Sequence, residues 1–374
     1  MDLDRWIENT LQIQSIPAPT FSEAQRAQYL KDALLRAGLP DVEQDDLGNI
    51  YAHIAGGKAP ALVVTAHLDT VFPLDTPIES ARSEQHLAGP GIGDNAVALA
   101  ALIELAHDLP AAHLAGDVWL VANVAEEGLG NLRGMHAVVD RFADKVSAYI
   151  VLEGMVLGHV YHRGLPVKRY RIGALTAGGH SWIHAGRPSA IHTIMELGTQ
   201  LLALPLPDDP RTTLNIGHVK GGTTVNTIAA AAHIEIDLRS DDPEALASLA
   251  RQVEQLARNH RKPGFEIEIE VIGERPGGSI AADHPLVRAA CQALEEVGGE
   301  TIFLQAGSTD ASAPLSRGIP AVCVGLTRGS DAHSLEERIQ IEPLPRGFAA
   351  LLELIHASFF LDAARSAEAA HRPG

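Results

Sequence analysis

The sequence predicts an α/β protein, one layered domain of alternating strands and helices split by an inserted ferredoxin-like α+β module. Three observations lead there. Apolar runs of strand length at residues 61–67, 117–125, 148–152 and 320–326 are separated by helical stretches such as Ala96-Val-Ala-Leu-Ala-Ala-Leu-Ile-Glu-Leu-Ala106. Runs apolar at nearly every position read as strands buried on both faces of a sheet. Compositional seams fall near Arg163-Gly-Leu-Pro166 and Arg275-Pro-Gly-Gly278, and 374 residues exceed one ordinary core.

Between the seams the pattern reads as a strand at 167–177, a helix at 189–204, strands at 211–219 and 227–238, a helix at 243–261 and a strand at 265–271. Ser189 and Asp241-Asp242-Pro243 stand where helix caps belong. Glu266-Ile-Glu-Ile-Glu-Val271 alternates as a strand with one face on a core and the other in water. The order β-α-β-β-α-β is that of a ferredoxin-like module. The expected boundaries are 1–163 and 278–374 for the layered domain and 164–277 for the insertion. The Ala-rich tail after Phe360 is expected to extend the last helix and then fray.

A net charge of −18 argues against nucleic acid and anionic membranes as partners, because both are bound through basic patches. No stretch approaches the roughly 20 apolar residues of a membrane span. Met1-Asp-Leu-Asp-Arg-Trp lacks the basic and apolar regions of a signal peptide. Cys291 and Cys323 have no paired spacing and neighbour no motif, so they read as packing residues of a protein in a reduced cytoplasm.

Chemistry gathers where the apolar runs stop. Ala61-Leu-Val-Val-Thr-Ala-His67-Leu-Asp69 ends in a His-x-Asp pair whose members share one face of the strand, at the end where open α/β sheets keep their sites. Gly89-Pro-Gly-Ile-Gly93-Asp94-Asn95 delivers a carboxylate just before a helix. It suits a helix cap or a metal ligand, and suits a phosphate cradle less well because the Lys-Ser/Thr ending is missing. The run 117–125 stops at Glu126-Glu127-Gly128 and the run 148–152 at Glu153-Gly154, places where carboxylates are costly without cations or partners. His333 stands in a polar loop after the run 320–326.

Together His67, Asp94, Glu127, Glu153 and His333 offer two imidazoles and three carboxylates. That is too many for one closed tetrahedral ion and suits two metals sharing a carboxylate. Glu126 is left as the natural general base and Asp69 as the group that orients His67. His53, His86, His159, His162, His184, His192 and His218 read as surface or core histidines.

These segments, in this order, resemble the signatures of the co-catalytic zinc aminoacylase and exopeptidase family, which includes carboxypeptidase G, acetylornithine deacetylase, succinyl-diaminopimelate desuccinylase and the peptidase T group. The resemblance covers almost the whole chain. It implies a zinc-exopeptidase-like layered catalytic domain, with the insertion as a lid and dimerisation domain. It implies two divalent ions per subunit, Zn2+ first and Co2+ or Mn2+ as alternatives. His67 and Glu153 would hold one ion, Glu127 and His333 the other, with Asp94 bridging, Glu126 as base and a cis peptide bond at Asp94-Asn95. Gly178-Gly-His180-Ser181 resembles the lid motif whose His polarises the scissile carbonyl from the neighbouring subunit of a dimer. Gly221-Gly-Thr-Thr-Val-Asn226 and Arg239 resemble the lid's substrate-binding Asn and Arg, and Gly307-Ser308-Thr309-Asp310 the loop around the substrate's far end. The chain departs from the family in reading Asn226-Thr-Ile-Ala229 for Asn-Ile-Pro and Asp94-Asn-Ala-Val for Asp-x-Lys-Gly.

The implied activity is zinc-dependent hydrolysis of an amide bond in a small peptide or N-acyl amino acid by a metal-bound hydroxide, carried out by a homodimer. The exopeptidase or dipeptidase reading has a neighbour in N-acyl-amino-acid deacylation of the acetylornithine deacetylase kind. Glu153 leans towards carboxypeptidases and deacylases, whereas Gly-Gly-Thr-x-Val-Asn leans towards the peptidase T branch. A non-enzymatic homologue that only binds metal or ligand would have lost the base or a ligand, and every inner position is filled. A serine mechanism through Ser181 or Ser308 finds no Gly-x-Ser-x-Gly elbow.

Overall fold

The computed structural model describes residues 1–143, 145–299 and 301–361. The expectation for the tail after Phe360 falls outside them, apart from Leu361. The chain divides into two compact units, Met1–Gly164 together with the chain from Gly278 onward, and Leu165–Gly277. No helix among the described residues is long and apolar enough to cross a membrane.

The first unit is built on a nine-stranded sheet. Its centre is four parallel strands in the order Gly116–Asn123, Ala59–His67, Val146–Glu153 and Ala321–Gly325. Antiparallel neighbours flank them, Ile50–Ile54 on one side and His159–Gly164 on the other. Alternate residues of each central strand feed two cores. Leu62, Val64, Ala66, Leu120, Ile150 and Leu152 meet a layer that includes the helices Leu3–Gln14, Val97–Asp108 and Leu344–Ser358. Val63, Val121, Tyr149, Val151 and Cys323 meet the helix Arg133–Phe142. Burial on both faces is why these runs are apolar throughout. Because the four strands run the same way, their carboxyl ends share one edge, and the turns beyond it gather the polar residues.

A small four-stranded sheet also belongs to this unit, in the order Gly329–Ser330, Arg338–Gln340, His86–Ala88, Ala81–Arg82. It makes the His333 segment a hairpin and ties it to the strand leading into Gly89.

The second unit is a ferredoxin-like β-α-β-β-α-β: Val167–Thr176, Ala190–Leu202, Thr212–Gly221, Ala231–Ser240, Pro243–Asn259 and Phe265–Arg275. Its antiparallel strands lie in the order Thr212–Gly221, Ala231–Ser240, Val167–Thr176, Phe265–Arg275. Both helices cover one face, where Ile194, Leu197, Leu249 and Val253 pack on Tyr170, Ile172, Ile234 and Ile236.

Three local features differ from the sequence expectation. The run 227–238 is divided: Thr227–Ile228 pairs with Gly179–His180, and the main strand starts at Ala231. The carbonyl of Ala229 is taken by Ala190 N–H, outside any ladder, and Thr176 N–H donates to Ala230 O in the register in which the main strand then runs. The last strand runs on to Arg275 past an irregularity between Val271 and Gly273. Ser189 occupies the N-cap position without a capping bond from its side chain, whereas Asp242 caps Glu244 and Ala245 N–H at 2.6 and 3.0 Å.

Candidate metal centre

His67 is the last residue of its strand and pairs in register with Asn123, while Thr65 pairs with Val151. Residues 63, 65 and 67 therefore share a face with 149, 151 and 153, which sets His67 Nε2 3.9 Å from Glu153 Oε2. Asp94 comes from the glycine-rich turn, where the Asp94–Asn95 peptide is cis. The helix that follows starts at Val97 and takes no side-chain cap. The two oxygens of Asp94 divide between two imidazoles: Oδ1 lies 2.9 Å from His67 Nε2 and Oδ2 3.0 Å from His333 Nε2. His333 Nε2 is also 3.3 Å from Glu127 Oε1. Asp94 thus stands between two His–Glu pairs.

Buried acceptors pin the turns that carry these groups. Asp69 accepts the N–H groups of Glu126 and Glu127, each at 2.9 Å, and the Thr20 hydroxyl at 2.9 Å. His67 Nδ1 lies 3.0 Å from the main-chain carbonyl of Asp69 and 3.6 Å from its Oδ1. The carbonyl is the nearer partner of the ring, and the carboxylate holds the turn that presents Glu126 and Glu127. Glu337 does the same for the glycine-rich turn, accepting from Gly93 and Asp94 N–H at 2.7 and 2.9 Å and from Gly91 N–H at 3.3 Å. Asn95 donates to Leu152 O and accepts from Gly154 N–H. Gly154 is required for that approach, since a Cβ there would lie 2.1 Å from the Gly93 carbonyl oxygen. Thr65 donates to Asn123, which donates to Asp310, so the loop containing Ser308 is tied beneath the centre. Sequence reasoning missed Glu337 and Asn95. Their only signals are a Glu-Glu pair and an Asn after Asp94, patterns that solvated residues share.

The crowded site perturbs His67, His333, Glu153 and Asp94. Burial alone would lower the pKa of His67, but the carboxylates of Asp69, Asp94 and Glu153 around the ring outweigh it and hold the imidazole well above its ordinary value. Hydrogen bonds with Asp94 and Glu127 push His333 up to about 10. Burial raises Glu153 to about 7 even against the nearby His67 imidazole. Burial would also raise Asp94, yet the two imidazoles hold it far below the usual carboxylate range.

The donor set fits divalent cations. Once a cation displaces the second proton of His67, donation from Nδ1 to the Asp69 carbonyl leaves the Nε2 lone pair facing Asp94 and Glu153. Asp94 Oδ1 is buried with no aligned hydrogen-bond donor, a condition worth about 1–3 kcal/mol of lost solvation. Ligand atoms of His67, Asp94 and Glu127 lie within 4.8 Å of one another. Mixed imidazole and carboxylate donors suit zinc and its first-row neighbours.

Residues 63–357 match peptidase family M20/M25/M40. The chain belongs to that family. It is 25% identical over 347 residues to the succinyl-diaminopimelate desuccinylase of Corynebacterium glutamicum, covering 90% of this chain and 92% of that protein. A tripeptidase structure from Staphylococcus aureus is similar with a TM-score of 0.79 at 22% identity, over 96% of this chain and 99% of that one. A Bacillus subtilis dinuclear metal binding peptidase is similar with a TM-score of 0.66 at 19% identity, over 96% and 98%. At those identities the structural likeness is one of fold. As a member of this peptidase family the chain is a metallohydrolase that binds divalent metal and cleaves amide bonds of peptides or N-acyl amino acids.

The other residues singled out in this peptidase-family chain are distributed between the units. In the second unit His180 and Asn226 are neighbours: His180 pairs with Thr227, and Ser181 N–H donates to Asn226 O at 3.0 Å. Asn226 Oδ1 accepts from Thr224 at 3.0 Å. Arg239 is not with them. It lies eight residues along the strand from Ala231, roughly 26 Å at the usual rise, with its guanidinium on Asp237 at 2.7 Å. Ser308 follows the Phe303–Gly307 strand of the first unit.

Proposed function

We propose that this M20-family protein is an exopeptidase or dipeptidase for small peptides, working with two divalent ions per chain, zinc first and cobalt or manganese as alternatives. His67 and Glu153 hold one ion, His333 and Glu127 the other, and Asp94 bridges. The observation that carries this reading is the division of the Asp94 oxygens between two His–Glu pairs. Such ions supply Lewis acidity for the amide carbonyl and lower the pKa of water. Glu126 takes the proton of the attacking water and delivers it to the leaving nitrogen. It is buried, and its backbone is fixed by Asp69. Asn226, Arg239 and Ser308 are assigned to substrate binding, Asn226 and Arg239 from different subunits because they lie far apart in one chain, and Arg239 through a fork suited to a carboxylate once it leaves Asp237.

His180 is assigned to the scissile carbonyl from the partner subunit of a homodimer. Its Nδ1 accepts the N–H of Trp182 at 3.1 Å, which supports Nε2 as the protonated nitrogen, able to donate to a carbonyl oxygen. Two features of the second unit support a second copy as its partner. The edge strand Thr212–Gly221 pairs on one side only, and Val219 on it is exposed, as are Met195 and Leu202 on the helix Ala190–Leu202. The opposite edge carries Glu266, Glu268 and Glu270, charges that discourage pairing. Cys291 and Cys323 are free, which supports a reducing, cytoplasmic setting.

N-acyl-amino-acid deacylation is the second reading, favoured by the desuccinylase relative that spans 90% of the chain. One panel separates the two: dipeptides, tripeptides, and N-acetyl and N-succinyl amino acids offered to zinc- or cobalt-loaded protein. Turnover of peptides, lost on chelation and restored by metal, is the expected result. Turnover of acylated amino acids alone selects the second reading, and turnover of neither class overturns both. Mixing inactive Glu126→Gln chains with inactive His180→Ala chains is expected to restore activity through mixed dimers, and no recovery after verified subunit exchange sinks the shared site.

A further inference from the structure

The second unit carries a cluster of imidazoles and carboxylate of its own. We propose that His218, His233 and Glu235 form a binding site for a borderline divalent transition ion such as Zn2+, Ni2+ or Cu2+, clamping the edge strand Thr212–Gly221 to its neighbour Ala231–Ser240. One nitrogen or oxygen from each of the three lies within 4.8 Å of the others. The two rings are 5.5 Å apart between centroids, and His218 Nδ1 is 3.9 Å from Glu235 Oε2.

The backbone explains how they meet. Ile234 and Ile236 are buried under the helices, so His233 and Glu235, alternating with them, face the other side of the sheet. His218 reaches that side through a register slip. Ile216 pairs with Ile236 but His218 pairs with Glu235, so the edge strand carries one extra residue at Gly217. Without the slip, position 218 would stand opposite Ile234 and turn towards the helices. A bulge re-aims a side chain in this way, and here it sets His218 beside the other two.

The surrounding charges leave room for an ion. Arg171 engages only Oε1 of Glu235, at 2.8 and 2.9 Å, and reaches Glu270 Oε2 at 3.0 Å with its other branch. Its charge is thus shared by two carboxylates, it steadies Glu235, and Oε2 stays turned towards His218. Lys220, opposite His233, is exposed on the edge strand. His233 and Glu235 are half-buried and His218 is exposed, so solvent completes the coordination. Two imidazoles and one carboxylate select zinc, nickel or copper over calcium or magnesium, which require oxygen-rich shells.

The test is titration of the metal-free full-length protein with Zn2+, counting ions by native mass spectrometry, for wild type, His218→Ala and His233→Ala, with hydrolysis measured alongside at saturating zinc. Wild type is expected to bind one ion more per chain than either variant, or to hold it at least about tenfold more tightly, since even partners that merely support a metal ligand matter by roughly 10–100-fold. Both variants are expected to hydrolyse substrate as wild type does, and Ca2+ or Mg2+ is expected to leave the difference unfilled. The difference of one ion does not depend on how many ions the first unit holds. A second readout needs no variant: Zn2+ should protect His218 and His233 of the wild type from diethyl pyrocarbonate, read by peptide mapping. Equal stoichiometry and affinity in all three proteins, or unchanged labelling of both histidines, overturns the proposal.

Discussion

Each unit brings two histidines beside carboxylate, and the two clusters are built in opposite ways. In the first, His67 and Glu153 end two parallel strands, while Asp94, Glu127 and His333 come from separate turns beyond the sheet. Buried acceptors fix the backbone around Asp94, Glu127 and Glu153: Glu337, Asp69 and Asn95 respectively. In the second, all three groups come from two adjacent antiparallel strands, and among the described residues Arg171 steadies one of them, Glu235. A centre assembled from distant segments on fixed backbone holds its donors in place whether or not they repel, which is the preorganisation that chemistry on a substrate requires. A cluster on an exposed sheet face has adaptable side chains and no buried carboxylate placed as Glu126 is. It suits holding an ion rather than using one.

The contrast is broken most severely by removing the shared group. Asp94→Ala is expected to abolish hydrolysis and to strip bound metal from the first unit; retention of both ions by elemental analysis would contradict its bridging role. Next in size, Glu126→Gln is expected to keep both ions and the fold while losing hydrolysis by about 100-fold or more, the lower range for a general base. Glu127→Gln should instead lose metal, and the reverse pattern would exchange the two roles. Asp69→Asn sharpens the claim about fixed turns. It replaces an acceptor of two N–H groups, and a fall of roughly 10–100-fold in activity or metal affinity is expected, as for other groups supporting metal ligands. The smallest effect belongs to the other cluster: without zinc, His218→Ala should shift unfolding free energy by no more than about 0.5 kcal/mol, the usual range for exposed substitutions. A larger loss in chemical denaturation would make His218 a packing residue.

The first cluster was legible because apolar strands stop abruptly at charged residues, and few arrangements other than a metal centre make Glu126-Glu127 and Glu153 tolerable there. The α/β layering and the ferredoxin-like order were legible for a similar reason, since runs buried on both faces and the one-sided Glu266–Val271 alternation read differently. What stayed hidden depends on contacts between distant segments. Glu337 looks like half of a solvated pair until Gly93 and Asp94 N–H are found on it. The hairpin carrying His333 is secured by pairing with His86–Ala88, far away in sequence. His218 was hidden by a single extra residue, because ordinary alternation from Leu214 and Ile216 turns position 218 inward, and only the register with Glu235 shows otherwise.

The most direct test is anomalous diffraction at the zinc edge from crystals of the zinc-loaded protein. Two peaks in the first unit are expected, one between His67, Asp94 and Glu153 and the other between His333, Asp94 and Glu127, with Asp94 contributing an oxygen to each. A single peak, or two peaks that leave Asp94 uncoordinated, would contradict the account.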